Sequence, residues 1–302
     1  MAVRPEVAGA ASGSLLALLT GPPRSAAVLA RFDRALYLSV AARPDVGGSS
    51  HRDEVLAVVD AAALRLPCSV VLAASAGSEL PAMVSRAGDA AIVVGGGRVE
   101  LPAATIRVTR WWQPTTPRPA QLGARLLRQL DAVQTLVPRL PAEVGAASRS
   151  LAAEADAALS RAGPAPELAA AARRLVGLGP GLTPAGDDVL AALLVTLSAG
   201  PAAARAAAGD VAAAVLPDAG ARTTALSAAL LRHAARGEGL PELVNLVDAV
   251  SAPGVQDDVT RLLRALLAVG SSSGCAMVHG VLTGMRAMLA MSNRRRRDVE
   301  VA

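Results

Sequence analysis

Gly177 to Asp188, reading GLGPGLTPAGDD, constrains this chain more than any other stretch. It lies between PELAAAARRLV and VLAALLVTLSA, two Ala/Leu-rich segments that read as helices. Four glycines and two prolines in twelve residues cannot continue a helix. Gly raises the entropy cost of ordering, and Pro has no N–H to donate. Gly177 suits the left-handed residue that ends the first helix. Thr183 then reads as an N-cap, with Pro184 at the first helical position. The small residues of GLGPGL let backbone amides approach a ligand closely, and the next helix aims its positive end at the same place. Asp187 and Asp188 fall in the first turn, with Gly186 at N3, so a capping box does not account for them. Adjacent helical residues diverge by about 100°, so one carboxylate faces the loop while the other does not. Asp188 is the expected functional one. A plain turn between helices stays open beside the ligand site, although such a connection needs only about two to eight residues.

The aromatic side chains are two Trp, one Tyr and one Phe, so the core must be built from Ala, Leu and Val. Hydrophobic residues make up 52% of 302, enough for one large or two ordinary domains. Every basic residue is Arg. The lack of Lys excludes a Schiff base and a Walker-type phosphate loop, leaving Arg, amides and hydroxyls for anion recognition. Net charge is +5, and Arg294–Arg297 supply four of those charges. A basic tail without interleaved aromatics is a poor nucleic-acid binder, so no nucleic-acid partner is expected. Cys68 and Cys275 do not make a disulfide framework, and His51, His233 and His279 show no zinc spacing. No metal and no cofactor are expected. No uninterrupted apolar run reaches the roughly 18 residues of a membrane span, and the LLALL run near the N-terminus is too short for a signal peptide. No membrane partner is therefore expected, and the chain reads as cytoplasmic and reduced.

Along the first third, 34–42 and 68–75 read as strands, while 54–62 is ambiguous between strand and helix. Ala91–Leu101 reads as a hairpin around GGG, and 104–112 as a further strand. Trp111 and Trp112 then point to opposite faces, one to the core and the other to the domain junction. Residues 113–121, with three prolines, read as a linker. From Leu122 the pattern is helical, with breaks at 162–166, the central loop, 199–203, 216–220, 236–241 and 251–254. The expected fold class is α+β: a smaller β-rich N-terminal domain (1–116), a mainly helical C-terminal domain with Gly-rich inter-helix loops (117–293), and a basic tail (294–302).

Two further segments carry candidate chemistry. VGSSSGCAMVHG (269–280) places Ser271, Ser272, Ser273 and Gly274 in a flexible break before a helix; one serine serves as a cap. His279 and Cys275 on that helix read as packing residues. In ARTTALSAALLRHA (221–234), Thr223 and Ser227 are four apart and share a helix face, with Arg222 at its start. Mid-helix hydroxyls take either the i−4 carbonyl or a ligand as partner.

Taken together, 177–194, 222–243 and 266–285 resemble the AllH-like family, formerly a domain of unknown function and associated with oxamate carbamoyltransferase of allantoin breakdown. The third segment departs from the family pattern at Ser271, where a His or similar polar residue is expected. The resemblance implies phosphorolysis of oxalurate to oxamate and carbamoyl phosphate, or the reverse, within a multi-subunit assembly. It implies small anionic substrates and other carbamoyltransferase subunits as partners. Carbamoyl transfer passes through an anionic tetrahedral species, which aimed donors stabilise. On that basis Gly179, Gly181 and Leu182 supply amides and Thr183 a hydroxyl. Arg222, Thr223, Ser227, Ser272, Ser273 and Gly274 complete the substrate-binding set, and Asp187 and Asp188 are the catalytic candidates. Two other readings stand beside it: a non-catalytic assembly or regulatory subunit, and an unrelated enzyme handling small acids or phosphate.

Overall fold

The computed structural model describes residues 4–42, 53–73, 80–84, 91–160, 166–251 and 256–301. His51, Ala74 and Ser75 of the expected second strand, and the breaks expected at 162–165 and 252–254, lie outside them. The chain divides into two compact units, Met1–Pro114 and Thr115–Ala302.

The first unit corrects the expected fold class: it is a closed eight-stranded barrel, not a loosely β-rich domain. Its strands are β1 (Glu6–Ser12), β2 (Arg24–Arg31), β3 (Ala35–Val40), β4 (Glu54–Val59), β5 (Ser69–Leu72), β6 (Ile92–Gly95), β7 (Arg98–Glu100) and β8 (Thr105–Trp112). They close in the order β1-β5-β4-β3-β2-β6-β7-β8, with β1–β8 and β4–β5 parallel and the other pairs antiparallel. β1 makes the closure. Its register on β8 shifts between Gly9 and Ala10, a bulge that bends the strand. A Cβ at Gly9 would lie 2.9 Å from Val70 and 3.0 Å from Ile106, so only glycine lets β5 and β8 approach β1 from both sides. The hairpin turn is Gly96–Gly97 at φ +61° and +80°, the left-handed pair that a two-residue hairpin loop requires. Neither tryptophan is core: Trp111 is 40% exposed, while Trp112 is half-buried under the Arg65 guanidinium. Two short helices complete the described part of this unit: α1 (Leu16–Thr20), entered through a 3-10 turn at Gly13–Leu15, and α2 (Leu80–Val84).

The second unit is helical: α3 (Ala124–Leu136), α4 (Ala142–Ser160), α5 (Pro166–Leu175), α6 (Ala185–Ser198), α7 (Ala202–Arg222), α8 (Ala225–Ala234), α9 (Pro241–Ser251), α10 (Gln256–Leu267) and α11 (Ser273–Val301). From Thr115 the expected linker is bound to this unit. Thr115 bridges Gly239, the Arg118 amide donates to Asp248, and the Ala120 amide donates to the Ala199 carbonyl. α6 is the axis. Only Ala191 and Ser198 of its residues escape full burial, as expected of a helix that is apolar all round. It touches α4, α5, α7, α8, α9 and α11. Its tightest neighbour, α11, approaches through GVLTG: a Cβ on Gly280 would lie 2.3 Å from the Val189 carbonyl oxygen, and one on Gly284 2.8 Å from Thr196. Ser273–Arg294 of α11 is long and apolar enough to cross a membrane, yet 78% of its most apolar 18-residue window is buried inside the fold, as a core helix is.

One expected break is absent. α7 runs through Pro217, which costs a single backbone hydrogen bond while Val211, Ala214, Val215 and Ala219 bury one face. A break not anticipated falls four residues after Ala219 at Thr223, where the backbone is extended (φ −136°, ψ 180°).

Candidate functional site

Three turns meet at the N-terminus of α6. The first, 177–184, starts where α5 ends. Gly177 (φ +73°), Gly179 (φ +112°) and Gly181 (φ +99°) all take conformations that other residues resist. A Cβ on Gly177 would sit 2.0 Å from the Arg222 carbonyl oxygen, so the turn rests directly on the end of α7. Gly181 points into open space, where no atom of the described residues beyond its chain neighbours lies within 4 Å of a built Cβ. The amides of Gly179, Gly181, Leu182 and Thr183 donate to no backbone carbonyl among the described residues.

The expected cap is displaced by one residue. Pro184, at φ −51° and ψ 136°, is the N-cap, with no side-chain capping bond. Thr183 is therefore not the cap, and its hydroxyl meets the Ser273 hydroxyl at 3.0 Å. The shift also moves Asp187, not Gly186, to N3. A reciprocal capping box is impossible there because Pro184 has no N–H to offer. Asp187 instead takes the Gly177 amide at 2.9 Å on Oδ1 and the Thr223 hydroxyl on Oδ2. Gly186 is obligatory for packing, since a Cβ would lie 2.1 Å from the Leu175 carbonyl oxygen.

The second turn joins α7 to α8, so Thr223 and Ser227 do not lie on one helix as expected. Thr224 N-caps α8 through the Ser227 amide at 3.0 Å, and its hydroxyl donates to the Leu182 carbonyl at 2.5 Å. Thr224 was not among the expected residues. Its signal was ordinary: a Thr directly before an apolar helical run. Thr223 and Ser227 nonetheless reach the same carboxylate, because both hydroxyls hold Asp187. Arg222 is exposed on the last turn of α7, close enough for its charge to favour ionised Asp187.

The third turn precedes α11. Ser273 joins Thr183 and also bonds Asp188. Ser272 is exposed at the same helix start, and its carbonyl accepts from Ala276. Gly274 does not face a ligand: its amide donates to Val269, and a Cβ would lie 2.0 Å from the Leu266 carbonyl oxygen. It is a close-packing residue. His279 and Cys275 both bond the Pro138 carbonyl, at 3.0 and 3.3 Å, away from these turns.

Two adjacent carboxylates thus lie buried in the first turn of α6, with Asp187 2% and Asp188 7% exposed. Burial raises the pKa of Asp187, while hydrogen bonds from Thr223, Gly177 and Ser227 and the Arg222 charge oppose it. Asp188 is pushed up to about 7, mainly by burial and further by Asp187 beside it, against hydrogen bonds from Ser273 and Thr183. Its Oδ2 is sealed from solvent and has no partner among the described residues. An acid that changes protonation near neutrality is therefore linked by hydrogen bonds to two half-buried hydroxyls at the rim of a glycine turn. Among the described residues no group of three His, Cys, Asp or Glu side chains is placed to hold a metal ion.

A helical domain whose small-residue turns converge on one helix start, around paired buried carboxylates, is what fold and site define. The model of a family described as oxamate carbamoyltransferase subunit AllH matches residues 175–285. That span contains all three turns and coincides with the family resemblance read from the segments themselves. No curated protein and no solved structure matches the chain.

Proposed function

We propose that this chain is a subunit of an oxamate carbamoyltransferase and that the rim of the α6 turn binds its small anionic substrates. The observation that carries the reading is the convergence of 177–188, 222–227 and 271–273 on one helix N-terminus, all within the span that the family model matches. The amides of Gly179, Gly181 and Leu182 and the hydroxyl of Thr183 serve the anion, beside the positive end of the α6 dipole. Exposed Arg222 and Ser272 lie on the flanking turns and supply a charge and a hydroxyl.

The two carboxylates divide the work. Asp187 is a positioning residue: it ties the start of the glycine turn to Thr223 and Ser227, so the turn keeps its shape whether or not a ligand is bound. Asp188, poised near neutral pH, is suited to general acid–base work. Because its free oxygen is sealed, it acts through the Ser273 and Thr183 hydroxyls, which pass a proton between it and a carbamoyl group at the rim.

The test is carbamoyl transfer in the assembly reconstituted with its partner subunits, assayed as carbamoyl phosphate formed from oxalurate and phosphate. Ser273→Ala and Asp188→Asn are expected to lower kcat at least tenfold while the assembly still forms. Full activity in both would remove this chain from the chemistry and leave it an assembly subunit.

A further inference from the structure

We propose that the groove between α4 and α11 is a second binding site, for an organic anion: a phosphate or carboxylate carried on an apolar body. It stands on residues that the α6 site does not use. The cavity is about 770 Å³, within the range of small-molecule pockets and far more than oxamate or phosphate requires. Two helical stripes form its walls. Gly145, Ser148, Arg149, Ala152 and Asp156 recur along one face of α4, and His279, Leu282, Thr283, Arg286, Ala287 and Ala290 along one face of α11. The α3–α4 connection closes one end with Arg139 and Leu140.

The charge of the lining is one-sided. Three arginines face the groove against a single carboxylate, Asp156, which Arg294 engages at 3.1 Å. Arg286 is held by Asp131 at 3.4 Å and by Gln134 at 3.2 Å. Arg139 and Arg149 have no hydrogen bond or ion pair among the described residues. Their planar donor forks suit phosphate and carboxylate oxygens. Ser148 and Thr283 add hydroxyls. Both residues are buried, their hydroxyls have no partner among the described residues, and neither oxygen is sealed, so they open to the cavity. His279 lines the same wall, with its Nε2–H given to the Pro138 carbonyl. Gly145 leaves room for the Arg149 guanidinium, whose Nη1 would lie 3.4 Å from a Cβ there. Alanine and leucine make up most of the remaining lining, a surface for an apolar body and too poor in aromatics to stack a base.

The experiment is isothermal titration of the full chain with octyl phosphate, with octanoate and with inorganic phosphate. Octyl phosphate, octanoate or both are expected to bind, and which of them binds tells phosphate from carboxylate. The Arg139→Ala/Arg149→Ala double variant is expected to raise Kd at least tenfold. Ala152→Phe, which fills the groove without touching either charge, is expected to abolish binding. Circular dichroism confirms that both variants fold. Absence of binding by octyl phosphate and by octanoate overturns the proposal, as does binding that survives in both variants. Inorganic phosphate binding as tightly as octyl phosphate overturns the apolar body.

Discussion

Asp188→Asn should make the helical unit more stable at high pH. In the fold the Asp188 carboxyl titrates at about 7, against 3.8 for an exposed aspartate. Between those values the folded chain keeps a proton that the unfolded chain releases, so stability falls as pH rises through the window. The difference of about three pH units corresponds to about 4 kcal/mol, at 1.36 kcal/mol per unit. Asn has nearly the shape of the protonated acid and does not titrate. Its advantage over wild type should therefore grow by about 4 kcal/mol between pH 4 and pH 8, most of it between pH 5 and pH 7. Urea unfolding followed by ellipticity at 222 nm measures this, since that signal comes mainly from the helices of the second unit. The crossing point is informative in itself: at pH 4 the variant should be no better than wild type, because both side chains are then neutral. A stability difference that stays constant with pH would refute the buried, protonated acid. So would an Asn variant that loses ground at pH 8.

Close packing and salt-bridge chemistry give two further expectations. Gly280→Ala places a methyl 2.3 Å from the Val189 carbonyl and should cost about 1–3 kcal/mol, whereas Gly209→Ala, exposed in α7 with nothing within 4 Å, should gain about 0.5–1 kcal/mol; thermal unfolding of both tests the α6–α11 contact. Glu238 sits at 2.6 Å from His233 and 2.9 Å from Arg236; burial raises its pKa, but those two partners outweigh it and hold it at about 2. Its contribution is present above the unfolded value near 4.3 and is lost as pH falls toward 2. Glu238→Gln should therefore cost about 1–2 kcal/mol at pH 7 after solvent screening, and the gap should close below pH 4 in denaturant titrations.

What was legible in the sequence follows from which residues carry strong local rules. The Gly95–Gly97 turn and the helix stop at Gly177 could be read because glycine alone tolerates their φ values. β1 and β2, reading EVAGAAS and RSAAVLAR, could not, because alanine has no strand preference and their pairing is set by distant strands. Barrel closure was lost with them. Around the site, the Pro184 cap and the extended Thr223 were misread by one residue and one helix respectively. Thr183 and Pro184 both fit a helix start, and ARTTALS contains no Gly or Pro to mark a break. The Asp187–Thr223 and Thr183–Ser273 pairs join residues 36 and 90 positions apart, which periodicity cannot reveal. Only the family resemblance grouped those segments beforehand.

The most direct test is calorimetric titration of carbamoyl phosphate and oxamate into the wild-type chain and into Gly181→Val. The Gly181 site has open space but a backbone at φ +99°, so valine distorts the turn without a clash. Binding of either anion to wild type, weakened at least tenfold in Gly181→Val with Asp188→Asn as a second reporter, is the expected result. Binding equal in all three, or no binding of either anion to wild type, would contradict an anion site at the start of α6.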